Sequence, residues 1–129
     1  MDYVISIENK GEYLHVKHAG ADSYEISLEL WQRIAKACEE HRCYSILGES
    51  DNSNVLSTKD AIGHIFIFRQ VGITSRHRIA WVNHNPSAGP MFELIETVLK
   101  NRFVFDGHLF KDVEEARRWL LSKVDTPVR

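Results

Sequence analysis

Seven histidines, two cysteines and eighteen acidic residues are the groups in this 129-residue chain that could hold a metal or move a proton, so their spacing is read first. His15 and His18 lie three apart in a segment that alternates like a strand. They point to opposite faces and do not chelate together. His64 falls in a helical stretch without a second histidine or cysteine one turn away, and His77 and His84 flank a short strand at opposite ends. No pair has the spacing of a zinc site, and Cys38 and Cys43 form no CxxC. No metal and no cofactor is expected, and the histidines read as structural or surface residues. Neither GxGxxG nor GxxxxGK[ST] occurs, which excludes nucleotide binding by those devices. Ser50, His84 and Glu49 can be drawn as an acyl-transfer triad, yet Ser50 is not in a GxSxG elbow. A small hydrolase is thus the least favoured reading, and the chain is expected not to be an enzyme.

Two other groupings carry more weight. Glu49, Ser50 and Asp51 follow one predicted strand, Asn83, His84, Asn85 and Ser87 follow the next, and Ser57 and Thr58 open the helix between them. Ligands of open parallel sheets collect outside the C-terminal strand ends, where helix N-termini expose backbone N–H groups. These nine residues are therefore candidate contacts for a small polar or anionic ligand, or for a partner's loop. Asn, Asp, Ser, Pro and Gly also favour turns, so a purely solvated role stays open. The second grouping is Ile65-Phe66-Ile67-Phe68. A helix turns about 100° per residue, so four consecutive apolar side chains point almost all round, and one sheet covers only part of them. Ile65, Phe66 and Phe68, with Phe68 outermost, are expected to line a pocket or to meet a neighbouring helix, a second protomer or an apolar ligand.

Local patterns supply the elements that must position these groups. Residues 2–8 and 12–18 alternate and are joined by Asn9-Lys10-Gly11, a β-hairpin. A helix is expected from a cap at Ser27, with Ile26 stapled on Trp31, and with Leu30, Ile34 and Cys38 on its buried face. Cys43 to Leu47 reads as a strand ending at Gly48-Glu49, followed by a polar loop to Thr58. Ser57 to Asp60 has capping-box spacing, and the helix it opens stops at Gly72 with Ile73 as its apolar contact. The unalternating run Ile79-Ala80-Trp81-Val82 predicts a strand covered on both faces, with Trp81 buried. A third helix begins near Pro90, an extended segment runs from Phe103 to Phe110 with a bend or bulge at Asp106-Gly107, and Asp112 with Glu115 caps a last helix through Val113, Ala116, Trp119 and Leu120. The order is β-β-α-β-α-β-α-β-α: an α/β fold whose sheet is mostly parallel, with an N-terminal antiparallel hairpin.

Residues 1–121 are expected to form one domain, and 122–129 a polar tail. Apolar residues at 43% and charged residues at 26% are ordinary globular values, which excludes disordered and fibrous classes. A net charge of −2 speaks against a dedicated nucleic-acid binder. The N-terminus has no basic segment followed by an apolar one, and no stretch is long and apolar enough for a membrane span, so a cytoplasmic location is expected.

This succession resembles the STAS domain, the SpoIIAA-like β/α superhelix whose fold is shared with SEC14-type lipid-binding domains. The resemblance covers nearly the whole chain. It rests on the opening hairpin, the strand–polar loop–helix from Ile46 to Phe68, and the ending Val104-Phe105 followed by Val113-Glu114-Glu115-Ala116-Arg117-Arg118-Trp119-Leu120. It implies a non-enzymatic binding or regulatory domain acting through a protein or small ligand at the β–α loop edge, or alternatively a carrier of lipid or another apolar ligand. In regulatory members a phosphorylatable serine opens the helix after this loop, within Asp-Ser-Ser-Gly-Leu. Here the stretch is Leu56-Ser57-Thr58-Lys59-Asp60-Ala61, in which Ser57 and Thr58 match in place and the glycine is absent. The resemblance makes both phosphorylation candidates, while capping is the competing role of Ser57.

Overall fold

The computed structural model describes residues 2–102 and 106–122. Strands β1 (Tyr3–Asn9) and β2 (Leu14–Gly20) form the expected antiparallel hairpin, with Tyr3 opposite Gly20 and Asn9 opposite Leu14. Gly11 sits at φ +92° in the turn, and its N–H donates to Asn9 Oδ1 at 2.9 Å.

Helix α1 (Tyr24–His41) starts earlier than the Ser27 cap expected from the sequence. Ser23 is the cap, its Oγ accepting from the Ile26 N–H at 3.1 Å. Ile26 is therefore inside the first turn and buried, not the residue before a cap that a staple requires. Ser27 is buried one turn in, where its hydroxyl donates to Asp22 Oδ1 at 2.8 Å. Ser23, its own N–H held by Asp22 Oδ1, already fills the cap position, so Ser27 falls inside the helix.

Strand β3 (Ser45–Asn52) runs well past Leu47. Gly48 looks like a strand end, but it is the residue directly opposite Trp81 in the parallel pairing of β3 with β4 (Arg78–Asn83). The Trp81 ring lies flat over it; a Cβ on Gly48 would stand 2.6 Å from Trp81 Cδ2 and closer still to Cε3 and Cζ3. All of Ile79, Ala80, Trp81 and Val82 are buried, as the unalternating run predicts.

The second predicted helix is two: α2 (Thr58–Ile62) and α3 (His64–Val71), divided at Gly63. The Tyr24 ring crosses there, and a Cβ on Gly63 would lie 2.9 Å from its Cε1. Both predicted ends hold. Ser57 Oγ accepts from the Asp60 N–H at 3.1 Å, and Gly72 takes φ +84° while Ile73 packs in the core. After β4 a 3₁₀ turn (Pro86–Ala88) leads into α4 (Gly89–Arg102). Strand β5 (Asp106–Phe110) pairs with β4 in unbroken register, Asp106 with Arg78 and Gly107 with Ile79, so the expected bulge is absent there. Phe103, Val104 and Phe105, with their part of the family-like ending, and tail residues 123–129 lie outside the described residues. Helix α5 (Val113–Leu121) is capped by Asp112, whose Oδ1 accepts from the Glu115 N–H at 2.8 Å.

The sheet order is β1-β2-β3-β4-β5, with all pairs after the hairpin parallel. Strands that succeed one another in space as in sequence, joined by right-handed crossovers, send every crossover helix to the same face. Accordingly α1, α3 and α4 cover one side, over a core that includes Leu14, Val16, Trp31, Ile34, Ile46, Phe68, Trp81 and Leu99. Helix α5 follows the last strand and folds onto the other side, over Leu47, Ala80 and Val82.

Phe68 is not outermost. It is 1% exposed, and its ring centroid lies 4.5 Å from that of Trp31. Ile65 and Ile67 are also buried, because α3 is wedged between the sheet, α1 and α4 and meets apolar surface on three sides. Of the four consecutive residues, Phe66 alone faces out, at 59% exposure. Ile65 thus cannot act as an exterior contact. Phe68 can serve only an internal space.

Candidate functional site

Strand alternation separates the predicted edge residues into three groups. Ser50 points to the helix-covered face and Glu49 to the α5 face, as neighbours on a strand must. Ser50 is buried and its Oγ accepts from Trp81 Nε1 at 2.7 Å. Glu49 is gripped from both sides on the opposite face, by His15 Nε2 at 2.6 Å and His84 Nε2 at 2.8 Å. The Ser50–His84–Glu49 triad is therefore not assembled, since the sheet stands between its nucleophile and its base. Burial raises the Glu49 pKa, but the bonds from His84 and His15 outweigh it and hold the carboxyl below its ordinary value.

The second group staples the loops. Asn85 Nδ2 donates to the Asn52 carbonyl at 2.9 Å, Asn83 Nδ2 donates to the Asn85 carbonyl at 2.7 Å, and Asn85 Oδ1 accepts from the Ser87 N–H at 3.0 Å. These side chains are spent on backbone partners, which is turn chemistry rather than ligand capture. Asn54, not singled out from the sequence, clamps the neighbouring loop by accepting from the Asp22 N–H and donating to the Asp22 carbonyl.

The third group faces solvent. Asp51, Ser57 and Thr58 are exposed along the run from β3 to α2. Val55 (43%), Ile62 (40%) and Phe66 (59%) are exposed on the same segment. Among the described residues these are three of the four large apolar side chains left in water, Val4 on β1 being the fourth. Isolated exposed apolar residues are ordinary, but their concentration in one short segment is not.

Beneath that segment lies a partly open cavity of about 70 Å³ between the sheet and its helices. Strands β2 to β5 never reverse direction across the sheet, so no crevice of the kind that forms at an order reversal exists at the strand ends. The internal space lies under the helices instead. Trp31, Phe68 and Trp81 form its apolar wall, and His18, Asp22 and His64 its polar end. All three polar residues are buried. Desolvation raises the Asp22 pKa against the bond from Ser27 and the fields of His18 and His64, and desolvation lowers that of His64. No common spacing joins them, because Asp22 lies in a loop, His18 on a strand and His64 on a helix much further along the chain.

Among the described residues no group of three or more His, Cys, Asp or Glu is arranged to hold a metal ion. Cys38 and Cys43 are free thiols, and burial, with Cys43 and Glu39 adding to it, pushes the Cys38 thiol up to about 12, far from a thiolate nucleophile. No described helix is long and apolar enough to cross a membrane.

No protein-family model matches the chain, and no curated protein does. Solved structures do. One is an uncharacterised protein of the DUF3478 family with a SpoIIAA-like fold from Shewanella loihica PV-4, 18% identical at a TM-score of 0.56, with 92% of this chain and 93% of that one covered. Another is the anti-sigma factor antagonist SpoIIAA in its unphosphorylated form, 12% identical at a TM-score of 0.51, with 94% of this chain and 100% of that one covered. The chain therefore has the SpoIIAA-like α/β fold of STAS domains, as the element order implies.

Proposed function

We propose that this chain is a regulatory binding domain that engages a protein partner through the segment from the end of β3 to α3. The observation that carries this reading is the exposure of Val55, Ile62 and Phe66 on one short run that also presents Ser57 and Thr58. An aromatic anchor flanked by aliphatic side chains, rimmed by hydroxyls and the charged Asp51 and Lys59, has the make-up of a protein contact. The likeness to SpoIIAA, an anti-sigma factor antagonist, supports a protein partner as the occupant. A phosphate on Ser57 or Thr58 would place about −2 charge among these apolar groups and oppose docking.

Affinity capture from the native cells, followed by binding of the purified partner, tests the proposal. Phe66→Asp and Ile62→Asp should each weaken binding by about 30-fold or more, the loss of a hot-spot side chain, and Ser57→Glu should weaken it too, with melting temperatures unchanged. Equal affinity across these variants would refute it. The carrier alternative is not favoured by the cavity. At about 70 Å³ it falls well short of the roughly 300–1,000 Å³ of ordinary ligand pockets, let alone of an acyl chain.

A further inference from the structure

The polar end of the cavity presents two unfilled acceptors, on Asp22 and on His64. His64 Nδ1 lies 3.0 Å from the Asp60 carbonyl, which only accepts, so Nδ1 carries the ring proton and Nε2 is left as a lone pair. Asp22 Oδ1 accepts from the Ser23 N–H and the Ser27 hydroxyl, whereas Oδ2 accepts from no described residue. No described lysine or arginine pairs with this carboxylate, although Asp22 is 9% and His64 5% exposed. A carboxylate that deep normally has a cation or a full set of donors. His18 supplies neither, since its Nε2 is directed at the Ala21 carbonyl and its Nδ1 faces the Asn52 amide. The opposite wall consists of aromatic faces, Trp31 with Phe68 at 4.5 Å and with Trp81 at 5.3 Å between centroids, a surface that favours hydrocarbon and cations alike.

We propose that this cavity is a binding site for a small apolar amine, whose ammonium group donates to Asp22 and His64 while its hydrocarbon rests on Trp31, Phe68 and Trp81. An ammonium has three donors and no acceptor, which matches the two open acceptors of Asp22 and His64. It also brings the charge that the buried carboxylate lacks. A carboxylate ligand of the same shape would meet like charge and two lone pairs. The volume limits the ligand to a short branched chain. A cavity of about 150 Å³ holds a benzene ring, and this one offers about 70 Å³.

Isobutylamine, isobutanol and isobutyrate share one carbon skeleton and differ in the head, and they are the probes. Each is titrated into the isotopically labelled full chain while the indole N–H signals of Trp31 and Trp81 are followed by NMR. Isobutylamine should shift both indoles in a saturable manner, isobutanol should bind more weakly, and isobutyrate should leave them unmoved. Asp22→Asn should lower amine affinity by tenfold or more, and Leu56→Trp, which puts a larger side chain at a position lining the cavity from the loop, should abolish saturable shifts while the remaining spectrum stays dispersed. The proposal is overturned if isobutylamine up to tens of millimolar moves neither indole, if isobutyrate binds as well as the amine, or if Leu56→Trp leaves the amine shifts intact.

Discussion

Replacing Gly48 with alanine should destabilise the protein, against the usual sign for a strand. In a strand interior glycine is worse than alanine by roughly 0.5–1 kcal/mol, so an unobstructed Gly48→Ala would stabilise. Here the new methyl would stand 2.6 Å from Trp81 Cδ2 and nearer still to two other ring atoms, so the indole must move. Its open side is the cavity, and shifting toward it disturbs every other contact the ring makes. Its Nε1–H donates to Ser50 Oγ at 2.7 Å, and its face rests on Trp31, which rests on Phe68. Overpacking of this kind costs about 1–3 kcal/mol and losing the Ser50 bond adds about 1, against the gain of about 0.5–1 from replacing glycine, for a net loss of about 1–3.5 kcal/mol. At roughly 4 °C per kcal/mol for a chain of this size, thermal melts followed by circular dichroism should show a drop of about 4–14 °C. Trp81→Ala alone should cost about 3–5 kcal/mol. Added to it, Gly48→Ala meets no ring and should become neutral or mildly stabilising, so the two penalties should fail to add. A Gly48→Ala protein that melts at or above the wild-type temperature, or penalties that add in the double variant, would show that the ring does not set the residue at 48.

Phe66→Glu should leave the melting curve within about 0.5 kcal/mol of wild type, as surface changes do, whereas Phe68→Glu should prevent folding by burying an unpaired charge; paired melts of the two decide which residue faces out. Burial lowers the pKa of His64 and of His77, so the unfolded chain takes up protons that the folded one refuses. Stability should be complete above the unfolded value of about 6.5 and fall as the pH drops below it. His64→Gln should reduce that loss in melts between pH 7.5 and pH 5.5. Glu49 acts further down the scale. Its lowered pKa contributes stability above the ordinary carboxylate value that is lost as pH falls through the folded one, and Glu49→Gln should remove that limb. Ser23→Ala should cost about 1 kcal/mol as the true helix cap, and a Ser23→Ala protein as stable as wild type in urea melts would take the cap away from Ser23.

The sequence made the frame legible because periodicity and caps are local. The hairpin turn at Gly11, the caps at Ser57 and Asp112, the stop at Gly72 and the buried run through Trp81 are all signals contained in a few neighbouring residues. What was misread depends on distant partners. Gly48 ends a strand on local grounds and continues one because a tryptophan thirty-three residues away lies over it. Gly63 reads as a tolerated helix residue and breaks the helix where Tyr24 crosses. Phe68 looked surplus because consecutive apolar residues point all round, and a helix packed on three sides has use for them. The polar end of the cavity was invisible for the same reason. His18, Asp22 and His64 have no common spacing, and only the packing of α3 against α1 brings them to one cavity.

Site-specific photocrosslinking in the native cells addresses the partner surface most directly. A benzophenone-bearing residue at position 66 samples the exposed side of α3, and the same residue at position 4 samples the other large exposed apolar site, on β1. One discrete protein adduct is expected from position 66, lost when Ile62→Asp is added, and none from position 4. No adduct at position 66, an equal adduct at position 4, or an adduct of two copies of this chain would contradict it.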